Sequence, residues 1–352
     1  MRAARSCRAL ALAALLLSPG GAAFAQSATG PAPPVVRLTN GSLVVTLAPG
    51  LGGRVVELRT PQGENLLNAD PRFWTEAPPP AELATPFGPW NGHTYWVGPQ
   101  SAWWTQQDVD PVRKKAAPPW PPDPFQETAL YEVRERSETR AVLESPPSPV
   151  TGLTRRLEVE LVAPRFVRLR VTATNVRSTP VAWDLWSNTR ARPEGWAYVR
   201  LAEDGIRKVD APSDAAAAYP HLSRRGFFVS PPGERAVAPQ KERTSKAFLR
   251  PRSGEVDYFR GRDLLRKRTE MGSEGHLHPE QAAVEIYRAA GREPAGDLLE
   301  LEMHGPYETL ATGATMSFEE TWEVVDYSGP VDIEAHLDFL EGLLKGAPGT
   351  KR

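Results

Sequence analysis

The stretch Leu298–Val325, LLELEMHGPYETLATGATMSFEETWEVV, constrains the fold most, because both of its halves alternate with a period of two. Leu299, Leu301 and Met303 fall on one side of an extended segment, and Glu300, Glu302 and His304 on the other. Gly305, Pro306 and Gly313 interrupt the pattern, and Met316, Phe318, Trp322 and Val324 resume it. This predicts two antiparallel strands joined by a long turn, with a ridge of two acids and an imidazole opposite the apolar side. Such a ridge reads either as the wet face of an ordinary sheet or as a site.

The middle of the chain repeats the alternation. Leu157, Val159 and Leu161 oppose Arg156, Glu158 and Glu160, and Val167, Leu169, Val171 and Ala173 oppose Arg168, Arg170 and Thr172. Strands are expected over Val35–Leu38, Ser42–Leu47, Arg54–Arg59, Glu127–Arg136, Arg140–Ser145, Thr154–Ala163, Phe166–Asn175 and Val181–Thr189, with Asn40-Gly41 as a two-residue hairpin turn between the first two. Turn residues are abundant, with 36 Pro and 28 Gly in 352 residues, and 40% hydrophobic content is enough to bury a large core. The expected fold is all-β, a large two-sheet antiparallel β-sandwich over 35–328. Residues 329–352 form a C-terminal helix and tail, the helix over Val331–Leu344 with Ile333, Leu337, Leu340 and Leu344 on one stripe. A formal charge of −1 argues against bulk attraction to nucleic acid.

Residues 1–25 read as a signal peptide. Arg2, Arg5 and Arg8 precede the apolar Ala9–Leu17, and Ala23-Phe24-Ala25 gives an A-x-A cleavage pattern before Gln26. The apolar run is too short to span a bilayer, and no later one reaches about 18 residues. The expectation is an exported protein, periplasmic or extracellular, with no transmembrane segment. Its single cysteine, Cys7, would leave with the peptide, so no disulfide is expected. A Pro-rich linker over 26–34 follows.

Between Pro71 and Pro124 lie thirteen prolines and six of the ten tryptophans. Proline cannot donate to a sheet ladder, so long loops are expected there. Trp96, Trp103 and Trp104 either plug the core or form an aromatic wall for a sugar ring. Further on, Arg224–Arg268 holds thirteen Lys and Arg against five Asp and Glu, which is either a solvated surface or a patch for an acidic glycan or envelope surface. His276-x-His278 has no second ligand pair at a recognisable spacing, so neither a metal nor any other cofactor is expected. No nucleotide or phosphate motif is visible.

Three segments carry a resemblance: N-G-S-L-V-V-T-L-A-P-G-L-G-G-R-V-V-E-L near the start, P-W-N-G-H-T-Y-W-V-G-P-Q at Pro89–Gln100, and the closing L-L-E-L-E-M-H-G-P run. They resemble a family of secreted proteins of unknown function that is itself similar to galactose mutarotases (aldose 1-epimerases). The resemblance implies a carbohydrate ligand and places the mutarotase base at Glu302, with Glu300 as the alternative. It implies that His93 or His304 supplies the acid, and that Trp96, Trp103, Trp104, Arg54, Asn188 and Glu300 contact substrate. Where mutarotases hold a histidine, this chain has Trp186-Ser187-Asn188. That departure favours sugar binding without turnover. A sugar-active acid/base enzyme using Glu302 is the second reading, and a structural or interaction protein of the cell envelope the third.

Overall fold

The computed structural model describes residues 35–75, 79–232, 242–291 and 296–346. The expected signal peptide and linker therefore lie outside the described residues, as does 233–241 of the basic segment. In chain order the strands are β1 (Val36–Thr39), β2 (Val44–Ala48), β3 (Arg54–Arg59), β4 (His93–Gly98), β5 (Glu132–Arg136), β6 (Arg140–Glu144) and β7 (Leu153–Ala163). They continue with β8 (Phe166–Asn175), β9 (Val181–Ala191), β10 (Trp196–Asp210), β11 (Leu222–Arg224), β12 (Phe227–Ser230), β13 (Arg243–Pro251) and β14 (Glu255–Arg260). The last are β15 (Asp263–Thr269), β16 (Val284–Ala290), β17 (Leu298–His304), β18 (Glu308–Leu310) and β19 (Thr315–Asp326). Short helices α1 (Pro71–Thr75), α2 (Pro111–Ala116) and α3 (Pro124–Thr128) interrupt the Trp/Pro-rich region, and α4 (Ile333–Gly346) follows the last strand.

The fold is mostly β and antiparallel throughout the strand ladders. One run pairs β1-β2-β3-β4-β9-β17-β16-β13 and ends on the second half of β10. The other pairs β5-β6-β7-β8-β19-β15-β14, the first half of β10, then β12 and β11. Because β10 belongs to both, the runs form one hydrogen-bonded network. Their inward faces meet in a shared apolar core that includes Val55, Leu301 and Met303 from the first run and Val159, Leu169 and Trp322 from the second. No helix of the described residues is long and apolar enough to cross a membrane.

Two local expectations change. The loop between β1 and β2 has four residues, since Thr39 pairs with Val44. Asn40 sets it by accepting from the Ser42 and Leu43 amides, with Gly41 at φ +80°. The larger change concerns Leu298–Val325. β17 and β19 do not pair with one another, because β9 and β16 occupy both edges of β17 while β8 and β15 occupy both edges of β19. The Gly/Pro connection, with β18 paired to β9 on the way, carries the chain from one run to the other. Alternation had reported strands, and it contains no information on which strand lies alongside.

The Pro-rich region is not all loop either: β4 is inserted between β3 and β9. At Gly52, φ is +66° and a Cβ would overlap the Gln126 carbonyl, so only glycine lets β2–β3 approach α3 this closely. In α4, Leu337 and Leu340 pack on Tyr198, Phe259 and Tyr327, as the stripe predicts.

Candidate functional site

The polar face of β17, which the sequence leaves open as a wet surface or a site, is buried. Glu300, Glu302 and His304 all lie below a tenth exposed, and Glu302 is wholly enclosed. Strand register explains what covers and surrounds them. Along one row, Thr94, Asn188, Glu302, Glu285 and Phe248 stand opposite one another on β4, β9, β17, β16 and β13. The next row is Arg190, Glu300, Tyr287, Lys246 and Asp210, and on the other side come Trp96, Trp186 and His304. A period of two on six neighbouring strands thus assembles one polar face.

Lys246 is its hub. The ammonium lies 2.7 Å from Glu285 Oε2 and 2.8 Å from Glu302 Oε2, 4.6 Å from the centre of the Trp186 ring. Asn188 Nδ2 donates to Glu302 Oε1 at 3.1 Å, and the Ala282 amide donates to Glu285 Oε1 at 2.9 Å. His304 stands between Asp184 Oδ2 at 3.4 Å and Glu285 Oε1 at 3.5 Å, and neither ring nitrogen makes a hydrogen bond. Asp184 is itself held by the Gly98 amide at 2.7 Å. Arg190 donates to Glu300 at 2.7 Å and lies against the rings of Phe87 and Trp96.

These surroundings separate the acids. Burial and the neighbouring Glu300 and Glu285 push the Glu302 carboxyl up to about 8, against the pull of Lys246. For Glu285, burial also opposes ionisation, but Lys246 and His304 outweigh it and hold the carboxyl down to about 2. Burial disfavours a cation on His304, yet Glu285 and Asp184 raise it to about 9. The face therefore holds Glu285 as the more readily ionised acid and favours a cation on His304, while Glu302 gives up its proton less readily of the two acids.

The other sequence candidates lie elsewhere. His93 precedes Thr94 on β4 and faces the opposite side of the sheet from Asn188 and Glu302, so the structure does not bring it to Glu302. Its Nδ1 is 2.9 Å from Thr189 Oγ1 and its Nε2 3.4 Å from Glu320 Oε1, between the two runs. There Glu320 accepts from Tyr95, Ser187 and Trp322 at 2.8, 2.9 and 2.9 Å, and pairs with the fully buried Lys267 at 3.2 Å. Burial drives the His93 imidazole down to about 3. The void beside it, lined by Tyr95, Tyr131 and Arg155, has about 10 Å³ for a water centre, room for a single water.

Trp96, Trp103 and Trp104 are buried, and their ring nitrogens donate to Glu127, to the Val97 carbonyl and to the Pro121 carbonyl. Trp96 lies on the polar face beside Trp186, and Trp103 stacks on Trp186 at 5.9 Å, so these rings are packed against that face and buried rather than open to solvent. Arg54 is buried in an ion pair with Glu127 at 2.7 Å. His276 and His278 lie at the surface beyond β15, with His278 against Tyr307. The basic segment is largely neutralised in space: Arg225 meets Glu334, Asp338 and Glu341, and Arg266 and Arg268 meet Glu255 and Glu323.

Lys246, Glu285, Asp184 and Arg190 did not emerge from the sequence. Asp184 and Trp186 share Asn188's parity on β9 and were legible there, whereas Glu285 and Lys246 depend on pairing between distant strands.

Residues 35–325 match the domain of unknown function DUF4380. The chain belongs to that family. No curated protein matches the chain at a significant level. Among solved structures, this DUF4380 protein is similar to a galactose mutarotase related enzyme from Lactobacillus acidophilus, at 9% identity and a TM-score of 0.51, covering 85% of this chain and 100% of that one. It is also similar to the GalM/aldose epimerase homologue from C. elegans, at 12% identity and a TM-score of 0.50, covering 84% and 99%. At such identity the likeness extends to the fold.

Proposed function

We propose that this DUF4380 protein is an exported carbohydrate-binding protein whose ligand meets the polar face of β9, β17, β16 and β13. The two strand runs are read as the layers of a mutarotase-like sandwich, with that face outermost on its layer. The observation that carries the proposal is a buried polar face rich in hydrogen-bond acceptors: Asp184, Glu285, Glu300 and Glu302 lie together, and Asp184 Oδ2 and Asn188 Oδ1 lack hydrogen bonds. Sugar hydroxyls are donors that satisfy such atoms. Phe248 and Tyr287 beside Lys246 supply the aromatic surface at its edge. Fold likeness to mutarotase-related proteins supports a sugar-related role. The cations of this face are committed, Arg190 to Glu300, Lys246 to two glutamates and Lys208 to Asp210, which favours an uncharged sugar over an acidic glycan.

A glycan array with the mature protein, run beside polarimetric mutarotation on common hexoses, tests the reading. Binding without turnover is the expected result, and silence in both assays overturns it. Turnover would select the second reading, an acid/base enzyme. It is favoured by the imidazolium of His304 within 3.5 Å of the Glu285 carboxylate, a donor and an acceptor of protons side by side. In that case Glu285, the carboxylate beside the imidazole, is the better placed base, in place of the Glu302 that the resemblance implies.

A further inference from the structure

The geometry points to a second capacity of the same face, independent of sugar: we propose that Glu285, Glu302 and His304 form a divalent-cation site in which the ion replaces the ammonium of Lys246. One ligating atom from each of the three residues lies within 4.8 Å of the others, although Glu285 is on β16 and the other two on β17. Two carboxylates and an imidazole suit the borderline Zn²⁺, and the carboxylates also suit the harder Mn²⁺.

A group of acids alone would not imply an ion. His304 adds the second observation, since its side chain is fully buried, both ring nitrogens lack hydrogen bonds, and both carboxylate contacts are long at 3.4 and 3.5 Å. A buried ring positioned with no hydrogen bond leaves a ligand place open. Beside it, Asn188 Oδ1 is another buried acceptor without a partner.

Lys246 shows what the carboxylates require. They hold a positive charge between them at 2.7 and 2.8 Å, and its donor is the one member of the cluster with substantial solvent access, its side chain 20% exposed against 2% or less for Glu285, Glu302 and His304. A flexible lysine stem can carry its ammonium outward into water, where it is strongly hydrated. Its departure without replacement would leave the buried Glu285 and Glu302 with no counter-charge between them, so the exchange needs an incoming cation. Asp184, held by the Gly98 amide, remains on the far side of His304 to orient the ring, as carboxylates do behind metal-bound histidines.

The test is isothermal titration of the metal-stripped protein with ZnCl₂ and MnCl₂, without sugar, and Co²⁺ absorption spectra to report the ligand set. The expected result is one ion per chain, a Co²⁺ spectrum of mixed nitrogen and oxygen ligation, affinity weakened about tenfold or more in Glu285→Gln and His304→Gln, and tighter binding in Lys246→Met. Absence of saturable binding to the wild-type chain overturns the proposal, as does binding that Glu285→Gln and His304→Gln leave unchanged while circular dichroism shows both folded. A sugar result of either sign does not bear on it.

Discussion

Glu302 and Glu285 stand directly opposite each other on β17 and β16 and share the ammonium of Lys246 at 2.8 and 2.7 Å. Two buried acids in this relationship cannot both be ionised without a cation between them. The sheet therefore imposes a charge relation on residues seventeen positions apart that neither acid has alone. It also makes Lys246 the residue on which access to Glu302 turns.

Removing that ammonium should be costly. Lys246→Met leaves an uncompensated buried charge, which typically costs about 3–5 kcal/mol, while the pair Lys246→Met with Glu302→Gln should recover a large part. Chemical denaturation of the three proteins checks this, and equal stability of the single variant and wild type would refute the hub role.

A second pair lies inside. Lys267 and Glu320 are fully buried between the strand runs, with His93, Tyr95 and Trp322 around them. Lys267→Met should destabilise by about 3–5 kcal/mol for the same reason, and it should leave ligand binding at the Glu302 face unchanged. His93→Gln should likewise lower the melting temperature without altering sugar binding. Loss of binding in a folded His93→Gln protein would restore His93 to the site.

The tryptophans separate core from wall. Trp104 has no exposed surface, so Trp104→Ala should cost about 3–5 kcal/mol and leave the affinity of the folded fraction intact. Thermal unfolding in parallel with a glycan titration distinguishes this from a binding wall, where affinity falls and stability holds.

Acid should loosen α4. His336 stacks on Phe259 at 4.0 Å with its Nδ1 2.8 Å from the Tyr198 hydroxyl, and burial lowers it from 6.5 to about 4. Its folded value lies below its unfolded value, so protons bind the unfolded or detached state more readily. The stabilisation is complete above pH 6.5 and declines as pH falls from there towards 4. Hydrogen exchange of the α4 amides should accelerate over that interval, and His336→Phe should flatten the dependence. Unchanged protection at pH 4.5 would contradict it.

The sequence revealed strands more readily than neighbours. Phe166–Asn175 and Arg54–Arg59 have the bounds read from alternation, and the helix near Leu337 and Leu340 follows from its stripe. Glu302 and His304 were visible as one face for the same reason. Their burial was not, because an alternating acid looks identical whether water or Lys246 covers it. His93 was expected as their partner because the Pro89–Gln100 motif resembles the family's, whereas its parity on β4 turns it to the other side of the sheet. Glu285 and Lys246 belong to the site through the β13–β16–β17 register, which no single strand encodes.

Ligand binding at the polar face of β17 is tested most directly by Glu302→Gln, because the amide keeps the shape and removes the acid. The measurement is glycan binding by wild type and Glu302→Gln, on the array and by tryptophan fluorescence, with melting temperatures recorded alongside. A sugar that binds wild type and not a folded Glu302→Gln protein is the predicted result, and equal binding by the two would contradict it.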